Sequence, residues 1–136
     1  MALETTLVYE TEMAVSMNCA DGTAIPKGSI LKIADGLIVS VAGTDDDPVI
    51  GIAKNEKIAN DGNTQISVYL GGVFKGTAGA AGVTAGDYIS SDASTGDDNE
   101  MATIGATEKN AIGMAMTTAT DLQTFIFKLA PCLGQP

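Results

Sequence analysis

The sequence predicts an all-β fold: a compact small barrel or sandwich with two weakly repeated halves and an extended N-terminal arm. Three observations carry this. Short apolar runs of strand length recur along the whole chain, several with strict alternation. Turn dipeptides such as Asp21-Gly22 and Asp35-Gly36 punctuate them. No segment offers an amphipathic helical stripe longer than two turns.

From Leu3 to Met17 the chain alternates with period two. Leu3, Thr5, Leu7, Tyr9, Thr11, Met13, Val15 and Met17 share one face, mostly apolar, and Glu4, Glu10 and Glu12 lie on the other. Fully extended, the segment would span about 50 Å at roughly 3.3 Å per residue. A domain of this size is only about 35–40 Å across. The segment therefore bends, or its first part leaves the domain as an arm that a partner must cover. The expected division is an arm over residues 1–17 and a single β domain over 18–136.

Further strands are expected at Ser29–Ile33, Leu37–Val41, Val49–Ala53 and Gln65–Leu70, with Val73–Lys75 resuming after Gly71-Gly72. Thr77–Ala85, a run rich in Ala and Gly, reads as a loop. Strands then follow at Asp87–Ser90, Met101–Ile104, Ile112–Met116 and Thr124–Leu129. Two stretches share one phrase order: Pro26–Ile30, Ile50-Gly51-Ile52-Ala53 and Gln65–Tyr69, then Thr84–Tyr88, Ile112-Gly113-Met114-Ala115 and Gln123–Phe127. Gly51 and Gly113 fall inside apolar strands, where glycine signals a bulge or a close backbone crossing.

The net charge is −10, with seven lysines, no arginine and no histidine. That balance excludes the counterion-replacing surface of a nucleic-acid binder and docking on an anionic membrane. The N-terminus lacks a basic, then apolar, export signal. The scattered lysines read as ordinary surface residues.

Candidate chemistry is sparse. Without histidine the usual general base near neutral pH is missing, and no glycine loop matches a phosphate cradle. Cys19 and Cys132 are either two small buried thiols or one long-range disulfide; with no His they cannot close a zinc site. Asp45-Asp46-Asp47 and Asp97-Asp98-Asn99-Glu100 read as solvated turns, with weak calcium binding as the second reading. Carboxylate pairs for glycoside hydrolysis exist formally, but the chain has no Trp to stack a sugar. The expectation is a protein that is not an enzyme and has no cofactor.

The phrases Ala-Ile-Pro-Lys-Gly-Ser-Ile-Leu-Lys-Ile (24–33), Val-Ile-Gly-Ile-Ala (49–53), Gln-Ile-Ser-Val-Tyr-Leu-Gly-Gly (65–72), Thr-Ala-Gly-Asp-Tyr-Ile (84–89) and Ala-Ile-Gly-Met-Ala-Met (111–116) carry a resemblance. In their order, from about residue 7 to 129, the chain resembles the capsid decoration, or head cement, proteins of tailed phages. The resemblance implies a structural virion protein on the capsid exterior, synthesised in the host cytoplasm. It implies a homotrimer that binds the major capsid protein at three-fold and quasi-three-fold sites and stabilises the head. The N-terminal segment of such proteins commonly adds a strand to a capsid-protein sheet, which makes Leu3, Thr5, Leu7 and Tyr9 the candidate contact residues here. The alternative is a receptor- or glycan-binding module of a phage fibre, tail or adhesin.

Overall fold

The computed structural model describes residues 4–44, 47–92, 99–104 and 110–131. Its strands are β1 (Thr6–Tyr9), β2 (Val15–Cys19), β3 (Ile30–Ala34), β4 (Ile38–Val41), β5 (Val49–Ala53) and β6 (Gln65–Tyr69). They continue with β7 (Gly72–Ala78), β8 (Tyr88–Asp92), β9 (Glu100–Thr103), β10 (Gly113–Ala115) and β11 (Thr124–Leu129). No helix occurs among the described residues.

Each half of the repeat closes into its own small barrel. In the first, the order β2-β4-β3-β5-β6 returns to its start through the antiparallel pair Met17↔Ile66. In the second, β7-β11-β10-β8-β9 closes when β9 runs parallel to β7, Thr77↔Glu100. The same parallel step in the first barrel is Asn18↔Ile38, between β2 and β4. The correspondence extends to the bridges Ile25↔Lys57 and Val83↔Ala119 and to two positive-φ hairpin residues, Leu37 and Asn99. The sequence repeat is thus a repeat of strand pairing, with one barrel per copy.

Close backbone crossing accounts for the two strand glycines. A Cβ on Gly51 would run into the Tyr69 carbonyl oxygen, and one on Gly113 into that of Lys128. Any side chain there would force β5 from β6 or β10 from β11.

Alternation along the strands divides the core. Met17, Leu31, Val39, Ala53, Ile66 and Val68 fill the first barrel. Their neighbours on the other face, Ile30, Ile52 and Tyr69, join the core of the second barrel with Phe74, Ile89, Met101 and Phe127. Two buried polar ties cross the same boundary. The Ile30 amide donates to Asn99 Oδ1 at 2.7 Å, and Ser91 Oγ accepts from the Asp47 amide at 3.0 Å. The barrels therefore share one continuous apolar layer.

Several expectations need correction. Thr77 and Ala78 belong to β7, not to a loop; the fully buried Ala78 suits the crowded interior of a small barrel. Asn99 and Glu100 are buried rather than solvated, and Lys57 is only 2% exposed rather than a surface lysine. Of the other acidic-cluster residues behind the solvated-turn and calcium readings, Asp47 is likewise buried, and Asp45, Asp46, Asp97 and Asp98 lie outside the described residues. Cys19 is buried and free, while Cys132 also lies outside them. Finally, residues 4–9 do not project as an extended arm. The chain bends between Tyr9 and Val15, because β1 and β2 join different barrels.

Candidate functional site

β1 is an edge strand laid across the two barrels. It pairs with β7 through Thr6↔Lys75, Leu7↔Phe74 and Tyr9↔Val73, with an irregularity after Leu7. Just before it, the Thr5 amide and hydroxyl both donate to the Gly28 carbonyl of the first barrel, at 3.1 and 2.7 Å. Gly28 has φ +80°, and a Cβ there would strike Glu4 and Thr5, so glycine permits this approach. Among the described residues no strand pairs with the outer edge of β1. Its unpaired amides and carbonyls are a template for an incoming strand.

The four expected contact residues do not share one fate. Leu3 lies outside the described residues. Thr5 is buried, with its hydroxyl committed to Gly28. Leu7 packs against the shared core. Tyr9, 68% exposed, does present its ring, beside Val8 and ahead of Met13, which is 82% exposed. The bend after β1 is held by its acidic residues. The Glu12 carboxylate lies over Gly71, where no Cβ intervenes. Burial pushes the Tyr69 phenol above its ordinary range, and the Glu10 carboxylate hydrogen-bonded to it adds to the shift.

Below β1 lies an open groove of about 380 Å³, lined by Thr5 and Leu7 on one wall and Lys27, Lys54 and Tyr69 on the other. The Lys54 ammonium sits 5.8 Å from the centre of the Tyr69 ring, within cation–π range. Lys27 and Lys54 are exposed at this groove, which exposed Glu4 also lines.

Two polar clusters are structural. The Lys57 ammonium donates to Asp61 Oδ1 at 2.6 Å, Asp21 Oδ1 at 3.0 Å and the carbonyls of Asp21 and Ile58, tying the two turns at one end of the first barrel. Burial pushes its pKa down, but the hydrogen bonds it donates to Asp61 and Asp21 outweigh that and hold it above its ordinary value. The Lys57 bond, then the Asn63 amide, depress the Asp61 carboxyl to about 2. Asp47 accepts from the Thr44 hydroxyl at 2.7 Å and from the Gly43 and Thr44 amides. Burial raises its pKa, and these bonds more than reverse the effect. Nothing in the lysine spacing marks Lys57. The paired turns Asp21-Gly22 and Asp61-Gly62 are the nearest sequence signal. Among the described residues no group of three His, Cys, Asp or Glu side chains could hold a metal ion.

Residues 8–129 match a family model described as phage cement protein. The chain belongs to the phage cement proteins. No curated protein matches it. The matched span opens in β1 and closes on the last residue of β11, so both barrels are the cement-protein fold. Membership gives a structural role as a component of the phage capsid. Of the expected contact residues, only Tyr9 falls inside the matched span; Leu3, Thr5 and Leu7 precede it.

Proposed function

We propose that this cement protein decorates the outer surface of a tailed-phage head as a homotrimer. It binds the major capsid protein at three-fold and quasi-three-fold positions and stabilises the shell. The observation that carries the capsid contact is the open outer edge of β1, within which the family span begins, with Val8, Tyr9 and Met13 exposed along it. A capsid strand added there gains backbone hydrogen bonds, and the exposed side chains supply apolar contact. Thr5 and Leu7 contribute indirectly, by holding β1 against Gly28 and Phe74.

The test uses expanded heads that lack the protein. Wild type should bind them saturably and raise their temperature of DNA release. A Tyr9→Asp variant, with the fold checked by circular dichroism, should bind at least about tenfold more weakly, the loss typical of an interface anchor. Heads that show no saturable binding at micromolar protein would end this reading.

A further inference from the structure

The two barrels share a strand plan, so each surface position in one has a counterpart in the other. Three pairs differ sharply in exposure. Phe74, Asn99 and Glu100 of the second barrel are at most 3% exposed, and Phe74 meets the Tyr69 ring and Asn99 the Ile30 amide of the first barrel. Their counterparts by strand register are Val15, Leu37 and Ile38, which are 39%, 59% and 44% exposed. A two-fold relation between the barrels would bury both sets alike. Only a head-to-tail arrangement buries one and exposes the other.

Head-to-tail packing leaves the complementary face open at the far end as well. On the first barrel the receiving face is Ile30, Ile52 and Tyr69, adjacent through the pairs Ile30↔Ile52 and Ile52↔Tyr69. All three are buried in the shared core. On the second barrel the same row is Tyr88, Met114 and Lys128, adjacent through Tyr88↔Met114 and Met114↔Lys128. Tyr88 and Met114 are half-buried and Lys128 is exposed.

We infer that the Val15–Leu37–Ile38 face of one copy docks on the Tyr88–Met114–Lys128 face of a second copy, repeating between chains the contact that joins the barrels within one. The contact is heterologous, so it uses two different faces and can close a ring. The trimer part of the proposed function rests on such a contact; β1 binding to the capsid does not.

The experiment measures mass in solution by light scattering coupled to size exclusion, on full-length chains. Wild type at tens of micromolar should exceed the 13.8 kDa of one chain. Ile38→Glu and Met114→Glu should each weaken self-association by about thirtyfold or more and run as monomers. Because each keeps one intact face, their equimolar mixture should form a dimer and nothing larger. A monomeric wild type overturns the inference, as does a mixture that stays monomeric while both variants are folded. If Ile38→Glu leaves the mass unchanged but abolishes head binding, the face contacts capsid and the inference fails. A protein that self-associates but ignores heads fails the capsid reading alone.

Discussion

Substituting Asn99 tests how firmly the barrels are joined. Its Oδ1 accepts from the amide of Ile30, which is fully buried, at 2.7 Å. Its own φ is +69°, a left-handed conformation that Asn tolerates and Ala does not. Asn99→Ala therefore does two things. It leaves a buried amide without its acceptor, at about 1–3 kcal/mol. It also imposes left-handed strain of about 1–2 kcal/mol. The expected loss is about 2–5 kcal/mol. Asn99→Gly removes the acceptor but not the left-handed option, so it should cost only the first part. The assay is urea unfolding followed by circular dichroism, fitted for both midpoint and slope. Wild type should unfold in one transition, because the apolar layer spans both barrels. Equal losses for the Ala and Gly variants would refute the strain argument. A loss below about 0.5 kcal/mol for Ala would refute the tie itself.

Three further outcomes are expected. Gly113→Ala and Gly51→Ala should each lower stability by about 1–3 kcal/mol or more, since the obstructing atoms are backbone carbonyls of a paired strand. Gly22→Ala, whose Cβ would meet only Asn60 Oδ1 at 3.7 Å, should be nearly neutral in the same denaturation assay. In acid, the Asp61 carboxyl near 2 lies below its unfolded value of about 3.9. Its contribution is present above pH about 4 and disappears as pH falls through about 2. Melting temperatures between those limits should fall more steeply for wild type than for Asp61→Asn; parallel curves would show that the Lys57 pair adds nothing.

Much of the strand plan was legible because it depends on local chemistry. Alternation in Gln65–Tyr69 and Thr124–Leu129, and the Asp35-Gly36 turn, place strands within a residue or two. The Ile-Gly-x-Ala phrase marked both close crossings, since only glycine fits there. Closure of each half into its own barrel was not legible. It depends on pairs such as Met17↔Ile66 and Phe127↔Phe74, which are remote in sequence. The N-terminal segment misled for a related reason. Alternation from Leu3 to Met17 fixes which face points inward but not which sheet receives it, and the chain changes barrels partway. Asn99 and Glu100 misled because the residue types that suit solvated turns also satisfy a buried amide.

The chemistry of the counterpart positions follows from when each becomes covered. Asn99 meets the Ile30 amide within one chain, so folding itself supplies its partner. A buried polar group there is safe, because it is never left unsatisfied in the native state. A face that waits for a second molecule is under the opposite constraint. A polar group specialised for one partner gains little while solvated and must shed water on docking. Exposed Leu37 and Ile38 cost little while free and gain by area when covered. At these two positions the duplicated barrel thus carries polar Asn99 and Glu100 where its neighbour is covalently fixed and apolar Leu37 and Ile38 where it must be found. The same contrast holds along β1, where Thr5 bonds inward to Gly28 while Val8 and Tyr9 stay exposed at the open edge.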